Sequence, residues 1–423
     1  MSTSLFTIAH MKYTRSEPEE YQIIQAGADI FEEIECQYKD NTKDNISKKN
    51  PYYGELTAFY WLWKNYHDCD NIVICHYRCY FIDYASKILD KADFEKLLDR
   101  CDIVVPRPRN EFESFAKSFS MIHNIVDLLA VEKAILKIYP QYHESFKKVI
   151  YGKKSYYGNM FATSKKIMNG YMVWLFDIFN EIRKSLIISE YNDYQKRVYS
   201  FLANQLLMVY VHYNNLTFIE FPIGFTQEKQ ETIELKEELR RLVSEKKIKK
   251  AHEYFYDVMK KRPDLSYTKI EFRKELECMI QVIHTCEQEI NLKTACMLDY
   301  STDLDKLVIH HTNLKEILFR IKDDIETEFD IHYMINTNSS WIEFTMIIIN
   351  DPILKEDQIE LLNKIALIFY NEGIKEKVIP FFEQALGMDE NNQETLTNLI
   401  DVLEGMEEYS LADNFKKKLF KLL

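Results

Sequence analysis

Glycine and proline are scarce in this chain, nine of each in 423 residues. Long helices are therefore expected, and few tight turns. Positive charge is also in deficit, and the formal net charge is -13. A general nucleic-acid binder depends on clustered Lys and Arg, so nucleic acid is excluded as a partner. No apolar run reaches the roughly 18 residues of a transmembrane helix. The opening MSTSLFTIAHMKYTR lacks the apolar stretch of a signal peptide. The eight cysteines include no CxxC pair, which fits a reducing cytoplasmic compartment. Cys75 and Cys79 flank His76, but zinc sites usually need four such ligands at a recognisable spacing, so no metal ligand is assigned. A Gly-rich phosphate loop is missing as well, which ranks a phosphotransferase last.

The length implies two or more domains. Aromatic residues make up 14% of the chain, enough to pack cores or to stack on sugars. The richest stretch is Asp44–Phe81, DNISKKNPYYGELTAFYWLWKNYHDCDNIVICHYRCYF. Asn71–Cys75 is a short β-branched run and reads as a buried strand. His76, Tyr77 and Arg78 follow at its carboxyl end, where ligands collect in open α/β sheets. Upstream, Leu56, Phe59, Tyr60 and Trp63 recur at helical spacing, so a helix is expected over Tyr52–Lys64. Pro51 suits its first turn and Asn50 its cap. The unpaired amides at such a helix start favour an anion.

Leu5–Ala9 reads as a first strand, followed by His10 and Lys12, and Tyr21–Ile24 as a second, followed by a turn at Gln25. A helix over Lys87–Arg100 leads to a strand at Asp102–Pro106, stopped by Pro106 and Pro108. Phe112–Ile138 is expected to be mostly helical with His123 in its middle, and Tyr156–Thr163 extended. Ser164 is placed to cap a helix through Trp174 and Ile182, Arg197–His212 forms another, and Leu216–Pro222 is the last strand. This alternation implies a three-layer α/β domain over residues 1–228. Residues 229–423 read as all-α. Leu235, Leu239, Leu242, Ala251, Phe255 and Pro263 match the small and aromatic positions of a tetratricopeptide repeat. So do Leu362, Ala366, Phe369, Gly373, Val378, Phe382 and Ala385, and Ala412 falls 34 residues after Val378, the period of that repeat. Stacked helix pairs of this kind offer a face to a protein partner; an ordinary irregular helical domain is the alternative.

DNISKKNPYYGELTAFYWLWKN and HYRCYF together resemble a bacterial family of capsular and exopolysaccharide glycosyltransferases, long catalogued as a domain of unknown function. YQIIQAGA at Tyr21, DIVVP at Asp102, NMF at Asn159, WLFDIF at Trp174 and RVYSFLANQLL at Arg197 match in the same order. The resemblance implies a GT-A-like nucleotide-sugar-binding fold. It also implies transfer of a sugar, from a UDP-sugar such as UDP-galactofuranose, to a cell-surface glycan or lipid-linked acceptor. The chain departs from the family at Lys43, where Gly is usual, and at Cys79, where Arg is usual. It carries Asn204-Gln205 where an acidic residue followed by Arg is expected. That last departure motivates a second hypothesis, a catalytically inactive binding or scaffold protein acting through its helical repeats.

A sugar transferase must hold a nucleotide diphosphate, stabilise the leaving charge and deprotonate an acceptor hydroxyl. Asp68-Cys69-Asp70 has the Asp-x-Asp pattern of a metal-binding transferase but precedes its strand, at the wrong end of a sheet. Arg78, His76 and Lys12 are therefore the candidates that counter the diphosphate, Arg because its planar fork binds phosphate in a bidentate manner. Alternatively, Arg78 pairs only with a carboxylate. No cofactor is expected, with Mn²⁺ or Mg²⁺ left open. His10, Gln25, Asn45, Ser47 and Asn50 complete the donor set, the last three alternatively as turn formers or caps. Tyr53 and Tyr77 stack on base or sugar, or belong to the core. For an inverting base the candidates are Asp102 and Glu55, with His123 as base or acceptor ligand, and Asn159, Met160 and Arg197 are assigned to the acceptor. Lys246–Lys250 and Lys416–Lys421 read as solvated helix faces. A further reading lays the last helix, with Phe415, Leu419, Phe420 and Leu422, on the inner face of the cell membrane.

Overall fold

The computed structural model describes residues 2–263, 265, 270–293, 296–338, 341–342 and 355–422. The chain divides into two compact units, residues 1–229 with 261–264, and residues 230–260 with 265–423.

The first unit carries strands β1 (Thr3–Ala9), β2 (Tyr21–Gln25), β3 (Tyr38–Lys39), β4 (Asn71–His76), β5 (Cys79–Phe81), β6 (Ile103–Pro106), β7 (Arg109–Asn110), β8 (Lys154–Ser155), β9 (Phe161–Ser164), β10 (Phe218–Phe221) and β11 (Ile223–Phe225). The main sheet runs β10-β6-β9-β4-β1-β2-β3, with β5 folding back from β4 and pairing with β11. β1 is parallel to β2 and β4, and β10 to β6, while β9 runs antiparallel between β4 and β6. β7 and β8 form a separate ribbon. All seven residues of β1 are buried, the mark of a strand covered on both faces. Alternate side chains serve two layers. Phe6, Ile8, Ile72, Ile74, Ile103 and Val105 enter the larger core, and Leu5, Val73, Cys75 and Val104 a smaller one with Phe94.

Its helices are α1 (Asn50–Tyr53), α2 (Leu56–Asn65), α3 (Lys91–Leu98), α4 (Phe115–Ile122), α5 (Ile125–Ile138), α6 (His143–Ile150), α7 (Lys165–Ile182) and α8 (Val198–Tyr213). The helix expected over Tyr52–Lys64 is broken at Gly54, whose backbone (φ 54°, ψ -135°) is open to glycine alone among common residues. The helix expected from Lys87 starts at Lys91, because Asp90 and Asp93 form a capping box. Residues 112–138 break at His123, which is extended between α4 and α5. Ser164 caps α7 through Ile167 N–H at 3.2 Å. Of the extended segment expected over Tyr156–Thr163, only the part from Phe161 is a strand, which runs on to Ser164; Pro106 is the last residue of its strand, and β11 follows β10.

The second unit is all-α among the described residues: α9 (Gln230–Ser244), α10 (Ile248–Lys261), α11 (Ile270–Leu292), α12 (Met297–Tyr300), α13 (Leu304–Lys322), α14 (Glu328–Ile335), α15 (Lys355–Asn371), α16 (Val378–Met388), α17 (Gln393–Gly405) and α18 (Tyr409–Phe420). Leu235, Leu239, Leu242, Ala251 and Phe255 are buried, as are Leu362, Ala366, Phe369, Val378, Phe382, Ala385 and Ala412. Gly373, at φ 77°, makes the turn between α15 and α16. On α18, Phe420 is exposed, while Phe415 packs against the core.

One buried cation bears on stability. Lys165, at the start of α7, donates from Nζ to the carbonyl of Leu62 at 2.7 Å. Burial lowers its pKa to about 8 from 10.5. The folded chain thus releases this proton at lower pH than the unfolded chain, and stability rises from about pH 8 to 10.5. Lys165→Met is expected to raise the thermal midpoint at neutral pH and to flatten that rise. Circular-dichroism melts across this range test it, and a slope unchanged by the substitution refutes it.

Candidate functional site

Because β9 runs against its neighbours, the segment that leads into it lies at the carboxyl edge of β4 and β6. There it meets His76, the last residue of β4. The start of α8 brings Arg197, Ser200 and Asn204, three- and four-residue spacings that share one helix face. The break between α1 and α2 brings Glu55.

Glu55 is the hub. Its Oε1 accepts from Ser200 Oγ at 2.7 Å and from Asn159 Nδ2 at 2.5 Å. Its Oε2 lies 3.4 Å from Arg197 Nη2. Asn159 Nδ2 also donates to the Ser200 carbonyl at 3.0 Å. Asn204 Oδ1 accepts the amides of Gly158 and Asn159, both at 2.8 Å, while its Nδ2 donates to the Ser200 carbonyl. Gln205 accepts from Tyr156 N–H at 3.0 Å and donates to the Lys154 carbonyl at 2.8 Å. Gly158 and Asn159 both take positive φ, 99° and 42°, a turn that this amide pair holds in place. Gly54 is required for space as well as conformation, since a Cβ there would meet Arg197 Nη2 at 3.1 Å and Ser200 Cβ at 3.3 Å.

Burial pushes the Glu55 carboxyl up, but His76, Arg197 and the bonds from Asn159 and Ser200 together hold it below its ordinary pKa. Arg197 and the two hydrogen bonds favour the ionised form whichever charge His76 carries. Burial lowers the pKa of His76, opposed by Glu55 and by its bond to Gly158, and assisted by Arg78. His76 Nε2 bonds the Gly158 carbonyl. A carbonyl only accepts, so Nε2 carries the proton in the neutral ring. At neutral pH the site therefore presents a carboxylate beside a neutral imidazole. The guanidinium of Arg78 lies 5.1 Å from the Tyr77 ring. A void about the size of one water molecule, lined by Pro106, Tyr157, Asn159, Met160 and Asn204, lies at the same edge.

Glu55, His76, Asn159 and Arg197 are thus brought together, with Arg78 beside His76. Most of the other expected site residues serve the fold. Asp102 sits at the opposite, amino edge, where Oδ2 accepts from Thr217 N and Oγ1 at 2.7 and 2.6 Å; it is a strand clamp and not a base. His123 closes α4, bonded to Gln195 at 3.0 Å and stacked on Phe201 at 4.3 Å. Tyr53 stacks on Tyr199 at 4.3 Å inside the core. Gln25 is buried and ties the Glu32 carbonyl to the Ile34 amide. Ser47 is buried between Asp40 and the Asp29 amide. Asn50 donates to Gly54 O and Thr57 Oγ1, and Asn45 forms a local turn between Lys43 and Ser47. Tyr77 and Met160 are buried. His10 lies 5.2 Å from the Phe31 ring and 5.4 Å from Tyr77, and Lys12 is exposed. Asp70 accepts from Ser2 N–H at the amino edge, so Asp68-Cys69-Asp70 is remote from the site. Sequence reasoning missed Ser200 as a ligand of the carboxylate; its helical spacing from Arg197 and Asn204 was the available signal.

A family described as "Domain of unknown function (DUF4422)" matches residues 4–215. The chain belongs to the DUF4422 family. Every residue of the Glu55 cluster falls inside the DUF4422 segment. Among solved structures, the apo structure of the bifunctional glycosyltransferase WbbM is similar, with 25% identity and a TM-score of 0.47. The match covers 54% of this chain and 46% of WbbM, so the chain spans less than half the length of that protein. None of the curated proteins matches it. Among the described residues of this DUF4422 member, no helix is long and apolar enough to cross a membrane.

A depressed carboxyl pKa carries a sign. Glu55 stabilises the folded chain fully above the ordinary value of 4.5, and that contribution is lost as pH falls through the lower folded value. Glu55→Gln is expected to cost on the order of 1–3 kcal/mol at neutral pH. The difference from the parent chain should shrink in acid; urea unfolding of both proteins over this range reads it directly.

Proposed function

We propose that the DUF4422 domain is a glycosyltransferase that moves a sugar from a nucleotide sugar to a glycan or lipid-linked acceptor. The carrying observation is the Glu55 carboxylate, held ionised at the carboxyl edge of a largely parallel sheet beside His76 and Arg197. In this reading Arg78, aided by Lys12, binds the donor diphosphate and stabilises the charge that develops on it. Glu55 takes the acceptor hydroxyl proton through Oε2, because Oε1 is engaged by Ser200 and Asn159. The acceptor oxygen bonds to the anomeric carbon as the bond to the diphosphate breaks, with inversion. An oxocarbenium-like transition state makes the hydroxyl proton acidic late, so a weakly basic carboxylate suffices. Neutral His76 positions the Gly158 turn. The donor class we favour is UDP, with UDP-galactofuranose to be tried first, and the place of action is the cytoplasmic face of the membrane, on capsular or exopolysaccharide precursors. The helical unit we read as tetratricopeptide-like and as the surface for a protein partner.

Thermal shift against UDP-, GDP-, CMP- and dTDP-sugars, with and without Mn²⁺ or Mg²⁺, tests donor binding, since a ligand of the folded state raises the midpoint. Stabilisation by a UDP-sugar is expected. Arg78→Ala should abolish transfer with an unchanged midpoint of the free protein, and Glu55→Gln should lower kcat by about 10²–10⁴-fold. Full activity in either variant refutes its assigned role. One observation favours the inactive-scaffold reading: Asn204, where the resemblance places an acid, is fully engaged with backbone groups. Donor binding without turnover on any acceptor selects it.

A further inference from the structure

A second cluster of chemically capable side chains lies in the helical unit. Cys286 and Glu289 are one turn apart on α11 and share a face. The chain turns at Lys293, which takes φ 56°, and brings back Cys296 ahead of α12. The two sulfurs and a Glu289 oxygen all lie within 4.8 Å of one another. Cys286 and Glu289 are fully buried and Cys296 is 8% exposed. Both cysteines are free thiols.

We propose that Cys286, Glu289 and Cys296 form a binding site for one thiophilic divalent cation, of which Zn²⁺ is the fitting example. Zinc takes sulfur at about 2.3 Å and carboxylate oxygen at about 2.0–2.2 Å. Tetrahedral ligand atoms around it are then roughly 3.5–3.8 Å apart, so closure needs a movement of about 1 Å. Two sulfur ligands disfavour Mg²⁺ and Ca²⁺, which prefer oxygen. A carboxylate and two thiolates pressed together in a buried place are costly as bare anions, and a divalent cation offsets most of that charge. The surroundings already orient the set. Glu289 Oε2 accepts the Met297 amide at 2.7 Å, and the Cys296 amide donates to Asp299 at 3.2 Å. Such outer bonds fix ligand direction at metal sites. Three protein ligands leave a fourth position for water. The ion ties α11 to the residue that precedes α12, independently of the transferase reading.

The test uses the full chain, reduced, stripped with chelator and dialysed against Zn²⁺. Elemental mass spectrometry should then find one Zn²⁺ per chain, retained against a chromophoric chelator. Co²⁺ in its place should give thiolate-to-cobalt charge-transfer absorption. Cys296→Ser should abolish both signals and Glu289→Gln should weaken binding at least about tenfold, whereas Cys278→Ser, altering another thiol of α11, should change neither. Should Cys296→Ser fail to fold, Glu289→Gln decides. The proposal is overturned by a parent chain that retains no Zn²⁺, by binding indifferent to Cys296→Ser or Glu289→Gln, or by a Cys286–Cys296 disulfide in the protein as purified.

Discussion

The carboxylate of Glu55 holds together parts of the chain that are far apart in sequence. Its partners Asn159, Arg197 and Ser200 lie 104, 142 and 145 residues away. Taking a carboxylate out of water is unfavourable unless donors replace the solvent. Here two hydrogen bonds and a guanidinium do so, and the same groups fix the approach of α8 to the α1–α2 junction. Gly54 follows from that constraint, because a side chain at this point would strike Arg197 and Ser200. The sharp turn at Gly158 and Asn159 follows too, since Asn159 must aim its amide at Glu55.

The two carboxamides of α8 extend this frame. Asn204 receives two successive backbone amides, and Gln205 pairs with one backbone donor and one backbone acceptor as a strand would. The segment that leads into β9 is therefore held by side chain to backbone contacts rather than by ladder pairing. That leaves Glu55 and His76 on a hydrogen-bonded support, the arrangement that the proposed sugar transfer would require. The helical unit is organised differently. Its apolar residues recur along the sequence and are buried between neighbouring helices, so its order is local.

Legibility from sequence tracked how local the responsible force was. The strands at Thr3–Ala9, Tyr21–Gln25, Asn71–His76 and Ile103–Pro106 were readable because burial on both faces demands continuous β-branched and aromatic runs. Ser164 was readable as a cap because capping involves only the next turn. The breaks at Gly54 and His123 were not, because their causes are contacts with α8 and with Gln195. Among polar candidates, Gln25, Ser47 and Asn50 have the same chemistry as ligand-binding residues. Only their distances to Glu32, Asp40 and Thr57 show that the fold consumes them. Asp102 was likewise recognisable as an acid and not as a clamp on Thr217.

By itself, the sequence determined the residue types, the alternation of strands and helices in the first half, the change to helices near residue 229 and the acidic balance. These depend on near neighbours and on composition, which a linear string records in full. The tertiary structure alone decided which carboxylate joins His76 and Arg197, which side-chain amides bond that carboxylate and which bond backbone, and which edge of the sheet each acid occupies. Those outcomes depend on angstrom-scale distances between segments more than a hundred residues apart, set by the antiparallel insertion of β9 and the docking of α8. No spacing along the chain encodes them.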